Sequence, residues 1–121
     1  MTPEEIDSQA RQALLDAAEV IGRDGWHQGA YYSGHTYGPE ADGTEAALHA
    51  PVCAIGSIRR ALWGEACVPL RIWGSPQVRV ALHAEKLLGD HVGACVPDWN
   101  DKRERTAEDV ILAMKQTAHG E

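Results

Sequence analysis

Apolar residues recur at three- and four-residue steps over much of this chain, which is the spacing of a helix with one buried face. The first such run is Ile6, Ala10, Ala13, Leu14, Ala17 and Ile21. Thr2 is placed to cap this helix, Pro3 suits its first position, and Glu5 can complete a capping box. Gly22 or Gly25 is expected to end it.

The same spacing predicts two helices in the middle of the chain. The earlier one follows Pro51 and ends at Gly64, and its apolar face is Val52, Ile55, Ile58 and Leu62. The later one begins at Ser75-Pro76 and closes at Gly89. Its polar stripe is Arg79, His83, Lys86 and Asp90, and the opposite side holds Val78, Ala81, Leu82 and Leu88.

A fourth helix is predicted at the carboxyl end. Thr106 is its cap, with Asp109 at the capping-box position. One face carries Ala107, Val110, Ile111, Met114 and Ala118. Residues 98–101 are expected to form the turn that precedes it, and residues 91–97 a short extended segment.

The remaining segments are interpreted from their turn residues and aromatic content. Residues 25–43 combine glycines with aromatic side chains, which suits an irregular hairpin or an ordered loop. Residues 44–50 are predicted to form a short helix, and residues 66–73 a short edge strand. The expected fold class is therefore mainly α with a minor β component: about four helices and a small irregular hairpin or short strands, in a single domain spanning residues 1–121.

Composition and charge narrow the class of protein. Apolar residues make up 44% of the 121 residues, which is too rich for a disordered chain. The formal net charge of −7 disfavours binding to nucleic acid or to an anionic membrane. Residues 51–88 are basic, however, and residues 1–25 are acidic. The basic segment could meet an acidic partner or a phosphate, but we favour pairing with the protein's own first helix.

The cysteines and the first residues indicate the compartment. Three cysteines, an odd number, argue against a disulfide framework. The first ten residues, MTPEEIDSQA, are polar and acidic, unlike a secretory signal or a membrane span. We therefore expect a cytoplasmic protein.

One catalytic arrangement is considered. Cys53 lies in the first turn of a predicted helix, where a helix amino terminus lowers a thiol pKa. His91 and then Asn100 or Asp101 follow, the order used by papain-like hydrolases. The fragment from Asp90 to Gly93 resembles the histidine strand of small cell-wall cysteine peptidases, although their nucleophile motif is missing. Cys53 as a small buried apolar residue is the favoured interpretation.

A metal site is the second chemical alternative. His91 and Cys95 are four residues apart, and further candidate ligands are Cys53, Cys67, His83, His27 and His35. Structural zinc usually shows two close ligand pairs, whereas this chain has at most one. We expect no metal and no other cofactor.

An aromatic segment and a later turn are the remaining candidates. If these aromatic rings are exposed, they and the interleaved histidines could stack on a partner. The equally weighted alternative is that the rings pack against the protein's own core, which has no Phe. The binding candidates are Trp26, His27, Tyr31, Tyr32, His35 and Tyr37. The turn before the last helix has the residue types that helix starts favour, so a structural role is expected there. Its candidates are Trp99, Asn100, Asp101, Arg105 and Thr106.

The motifs together resemble a small family of unknown function from actinobacteria and their phages. They are Trp26-His27-Gln28-Gly29, Cys53-Ala54-Ile55-Gly56, Trp99-Asn100-Asp101 and Arg105-Thr106. The resemblance implies a phage, prophage or host accessory gene and brings no activity with it. Residues 30–50 depart from the family pattern, so this segment is the candidate target-facing part.

The function predicted from the sequence is that of a small non-catalytic accessory protein. It is expected to bind a host protein, or a small ligand, through the aromatic segment, in the host cytoplasm if phage-encoded. A small cysteine hydrolase using Cys53, His91 and Asn100 is the first alternative. A metal-binding domain is the second.

Overall fold

The computed structural model describes residues 1–29, 49–66 and 75–121. In these ranges the chain is mainly helical, with five helices. They are α1 (Pro3–Asp24), α2 (Ala54–Trp63), α3 (Pro76–Val92), α4 (Val96–Asn100) and α5 (Ala107–His119). No helix in these ranges is long and apolar enough to cross a membrane.

The ends of α1 and α5 follow the local sequence closely. The Thr2 hydroxyl accepts the Glu5 backbone N–H at 3.2 Å, and α1 ends at Gly25, which has a φ of +96°. At α5, Thr106 accepts the Asp109 N–H and the Asp109 carboxylate accepts the Thr106 N–H, so the predicted capping box is complete. Capping side chains replace hydrogen bonds that the first turn of a helix lacks.

Two predicted boundaries in the middle of the chain were wrong. Helix α2 begins at Ala54 rather than next to Pro51, so Cys53 is its cap and not a residue of its first turn; Gly64 ends the helix as expected, with a φ of +80°. Helix α3 continues through Gly89 and ends at Gly93, which has a φ of +71°. Gly89 has helical neighbours on both sides, and a Cβ there would lie 3.2 Å from the Ala94 carbonyl oxygen. Its lack of a side chain lets the following turn pack back onto α3.

The extended segment predicted over residues 91–97 was also wrong. His91 and Val92 are the last residues of α3, and Val96 and Pro97 already belong to α4. The predicted turn over residues 98–101 is mostly this short helix. Pro97 occupies its first turn, where a missing backbone N–H costs no hydrogen bond.

The predicted β component is not supported in the described residues. They contain one isolated parallel bridge, between Trp26 and Val52, and no strand. Most of the predicted hairpin (25–43), most of the short helix (44–50) and nearly all of the edge strand (66–73) lie outside the residues that the structure describes.

Helix α1 lies at the centre of the packing and contacts α2, α3 and α5. Four of its buried residues are alanines, which allow neighbouring helices to approach closely: Ala10, Ala13, Ala17 and Ala18. Larger side chains from the other helices complete the core, notably Ile58, Leu88 and Met114. Burial of this apolar surface is the main force that holds a small helical domain together.

Two polar links join α1 to its neighbours. The buried Arg60 guanidinium lies 3.0 Å from the Asp24 carboxylate, which agrees with the expected pairing of the basic middle with the acidic first helix. The Arg11 guanidinium bonds the Asp7 carboxylate at 2.8 Å and the Thr117 carbonyl oxygen of α5 at 2.7 Å. The His83 ring of α3 is 2.9 Å from the same Asp7 carboxylate. Asp7 and Arg11 therefore connect three helices.

Candidate functional site

The chain leaves α1 through Gly25 and runs beside the residues that lead into α2. The His27 N–H donates to the Val52 carbonyl at 2.9 Å, and the Val52 N–H donates to the Gly25 carbonyl at 3.0 Å. Gly25 also faces Pro51, and a Cβ at this position would lie 3.2 Å from the proline ring. The stretches on either side of residues 30–48 are thus held next to each other.

The Asn100 amide lies at the centre of this junction and is 2% exposed. Its Oδ1 accepts the Trp26 indole N–H at 2.8 Å and the Ala54 backbone N–H at 2.9 Å. Its Nδ2 donates to the His27 carbonyl at 3.2 Å and to the Asp101 carboxylate at 3.0 Å. An asparagine amide has two acceptor and two donor positions, and all four are used here.

Gln28 and Asp101 extend these contacts to the start of residues 30–48. The Gln28 amide donates to the carbonyl of Asn100 at 3.0 Å and to that of Lys102 at 2.8 Å. The Asp101 carboxylate also accepts the Gly29 N–H at 2.9 Å. We call this set of seven residues the Asn100 cluster: Trp26, His27, Gln28, Gly29, Ala54, Asn100 and Asp101.

The far end of residues 30–48 is also attached to the helices. The Arg60 guanidinium donates to the Ala50 carbonyl at 2.6 Å and to Asp24 at 3.0 Å. Hydrogen bonds from Arg23 and Arg60 hold the pKa of Asp24 below its ordinary value and outweigh the effect of its burial. A charged pair therefore fixes the backbone shortly before α2.

Trp99 and Arg105 stabilise the short helix α4. Trp99 is buried, and the Arg105 guanidinium lies 4.2 Å from the centre of its ring. The same guanidinium donates to the Trp99 carbonyl at 3.0 Å. This stacking and hydrogen bonding fix the short helix that presents Asn100 and Asp101.

The predicted binding residues are only partly described. Trp26 and His27 are half-buried at the Asn100 cluster, and the indole N–H of Trp26 is used by Asn100. Tyr31, Tyr32, His35 and Tyr37 lie outside the described residues. The indole N–H of Trp26 is therefore used within the protein, and the three tyrosines lie in the sequence of residues 30–48.

The proposed thiol, histidine and amide of a hydrolase do not form a relay. Cys53 caps α2 by accepting the Gly56 N–H at 3.3 Å, and burial raises the pKa of its thiol, contrary to the lowering expected from the sequence. The His91 ring is 3.2 Å from the Gln116 side-chain oxygen. In the part of the chain described, no hydrogen bond joins Cys53, His91 and Asn100.

The candidate metal ligands that lie in the described residues do not form a group. Among residues 1–29, 49–66 and 75–121, no group of three or more His, Cys, Asp or Glu side chains is placed to hold a metal ion. His83 pairs with Asp7, and Cys53 is a helix cap. Cys67 and His35 lie outside these ranges.

Sequence reasoning missed the connection between the motifs. Gln28 meets Asn100 across 72 positions, and Ala54 meets it across 46. The sequence feature that indicated this connection was the presence of three motifs in one chain: Trp-x-Gln-Gly, Cys-Ala and Trp-Asn-Asp. Residues of all three motifs meet in the Asn100 cluster. The structural role expected for Asn100 and Asp101 therefore includes the packing of distant segments, beyond the start of α5.

The chain was compared with known proteins and families. Residues 5–120 match the model of a family of unknown function, DUF6197. No curated protein and no solved structure matches the chain.

Proposed function

The chain belongs to DUF6197, a family of unknown function, and from this starting point we propose that it is a small non-catalytic protein that binds another protein through residues 30–48. The observation that carries this proposal is the attachment of both ends of that segment to the helical part of the chain. Gly29 is held by Asp101, and Ala50 is held by Arg60.

Such an arrangement favours recognition for a physical reason. Binding surfaces are often loops whose ends are fixed by a rigid scaffold, because fixed ends lower the entropy lost when the loop meets its partner. The sequence of the segment includes Tyr31, Tyr32 and Tyr37. Tyrosine supplies a large contact area and a hydroxyl with few rotatable bonds, which makes it a frequent contact residue in binding loops.

The surroundings of Cys53 and Asn100 support a non-catalytic role. A thiol whose pKa is raised by burial is mostly protonated near neutral pH, and the thiolate is the reactive form. The amide of Asn100 has no position left for orienting a histidine. These contacts favour binding over hydrolysis.

The proposal extends to the setting and the partner. The motif pattern described above supports a phage or prophage gene in an actinobacterial host, and we propose a host protein in the cytoplasm as the partner. A small ligand held by the same aromatic side chains is the narrower variant of this proposal.

The test is capture of partners from an actinobacterial lysate, followed by measurement of the dissociation constant with the purified partner. The test variant is Tyr31→Ala/Tyr32→Ala/Tyr37→Ala, which changes no residue of the Asn100 cluster. The control variant changes three exposed residues of α5: Glu108→Ala/Leu112→Ala/Lys115→Ala. We expect the tyrosine variant to bind at least about tenfold more weakly and the control to bind as the natural chain does.

Trp26 is left unchanged because its indole N–H bonds Asn100, so its loss would combine misfolding with lost binding. Circular dichroism and thermal unfolding establish that both triple variants are folded. Equal capture by a folded tyrosine variant would refute the placement of the binding surface on residues 30–48.

A further inference from the structure

A groove of about 650 Å³ runs along α3, on a surface that includes no residue of the Asn100 cluster. One wall is α3, through Leu82, Lys86 and Asp90, and the other is formed by residues 94–97, which lead from α3 into α4. Ile55 of α2 and Gly89 also line it. The lining is mostly apolar in its side chains, with charges confined to α3.

Leu82 is the prominent apolar feature of this surface. Its side chain is on the outer face of α3 and the residue is 49% exposed. Within the described ranges, Met1 and Leu112 are the other large apolar residues exposed to a similar degree. Of these three, Leu82 is the one that borders the groove, so it can enter an apolar recess if a second surface supplies one.

The charges beside Leu82 cancel in pairs. Lys86 and Asp90 are one helical turn apart, and their side chains meet at 2.7 Å while remaining largely exposed. Glu85 also lines the groove, and its carboxylate lies 3.4 Å from the Arg59 guanidinium of α2. Covering the groove would therefore bury no charge that lacks an opposite charge nearby, which removes a major cost of association.

We propose that this groove is a homodimer interface in which the α3 helices of two copies pair antiparallel. With the two-fold axis level with position 88, Lys86 of one copy faces Asp90 of the other. Leu82 of each copy then faces the carboxyl end of the other copy's α3, which residues 94–97 border. Both pairs of contacts occur twice, as a two-fold interface requires.

A second copy fits this surface better than an acidic or basic partner. Lys86 and Asp90 together carry no net charge. A uniformly acidic or basic partner would therefore be attracted by one of these residues and repelled by the other. An antiparallel copy matches both charges at once. The protruding Leu82 and the recess at 94–97 also lie on one surface of one chain, which makes that surface complementary to itself.

The first test is sedimentation equilibrium of the full chain from about 1 to about 500 µM, a range that detects a weak dimer. We expect a concentration-dependent dimer for the natural chain. Leu82→Glu should raise its dissociation constant at least about tenfold, while Leu112→Glu, on α5, should leave it unchanged. A natural chain that stays monomeric over the whole range overturns the proposal, as does dissociation by Leu112→Glu with Leu82→Glu unaffected.

The second test separates contacts between copies from the contact within one helix. Lys86→Glu and Asp90→Lys should each weaken self-association, because like charges then face each other across the axis. In a 1:1 mixture of the two variants, each facing pair of positions 86 and 90 would again join one acidic and one basic side chain, so heterodimers should form. A mixture that stays monomeric would overturn the antiparallel arrangement, since mixing two chains cannot repair a contact within one helix.

Discussion

At the scale of the residue, Asn100 shows how one side chain can decide the packing of distant segments. Four hydrogen bonds connect its amide to Trp26, His27, Ala54 and Asp101. No charged group would do this as well, because the site needs two donors and two acceptors at once. The sequence placed Asn100 in a structural motif, but its partners lie too far along the chain for any local pattern to identify them.

Replacing Asn100 by alanine should destabilise the fold by about 3 kcal/mol. The half-buried indole N–H of Trp26 and the buried backbone N–H of Ala54 would both lose their acceptor. Urea unfolding at neutral pH measures the change. Asp98→Ala, an exposed position of the same short helix, is the control and should change the free energy of unfolding by less than about 0.5 kcal/mol.

A double-mutant cycle with Trp26→Phe tests the cause. The phenyl ring keeps most of the packing and removes the N–H donor, so the two substitutions should be non-additive by about 1 kcal/mol. Additive losses would show that the hydrogen bond between the two side chains contributes little.

At pH 7, Cys53 should react with iodoacetamide at least about ten times more slowly than the exposed Cys95. Burial shields its sulfur and raises the pKa of the thiol, so little thiolate is present. Peptide mass spectrometry resolves the two sites, and the rates should become equal in urea. Faster labelling of Cys53 than of Cys95 would restore the hydrolase alternative.

At the scale of the element, helix ends were predictable where a local signal acts alone. The Thr2 and Thr106 caps and the Gly64 end depend on residues within four positions, and the structure has all three. Gly89 failed as an end signal because tertiary packing uses it differently: the turn at Ala94 packs against it. A glycine permits a helix to end, but its neighbours decide whether it does.

Two glycines that the sequence treats alike should respond oppositely to alanine. Gly22 lies inside α1, and a Cβ added there would have no atom within 4 Å, so Gly22→Ala should stabilise the fold by about 0.5–1 kcal/mol. Gly64 has a φ of +80°, so Gly64→Ala should destabilise it by about 1–2 kcal/mol. Thermal and urea unfolding measure both, and changes of the same sign would contradict this assignment.

At the scale of the whole molecule, α1 joins the other helices through a small apolar face and a few charged links. Its alanines leave room for close helix contacts, and near its two ends Asp24 contacts Arg60 of α2 and Asp7 contacts His83 of α3. The charge asymmetry of the sequence indicated this pairing in general. Which arginine meets which aspartate depends on how the helices pack, and the sequence did not indicate it.

The hydrogen bonds that Asp24 accepts from Arg23 and Arg60 should make stability depend on pH. The pKa of Asp24 lies below its ordinary 3.8 in the folded chain, so its contribution is present above that value and is lost as pH falls through the lower folded pKa. Asp24→Asn should therefore cost about 3 kcal/mol near pH 7 and progressively less in acid. Urea unfolding from pH 7 to pH 2 measures the difference, and a cost independent of pH would contradict the role of the charge.

The sequence by itself determined the helical class, the caps of α1 and α5, and the motif residues that meet in the Asn100 cluster. These features depend on contacts within a turn of helix or on composition, which a linear pattern records. Only the tertiary structure decided the helical state of residues 91–92 and 96–97, the raised pKa of Cys53 and the convergence of Trp26, Ala54 and Asn100. Each of these depends on burial or on hydrogen bonds between residues that are brought together by folding, and burial is a property of the packed helices rather than of any one segment.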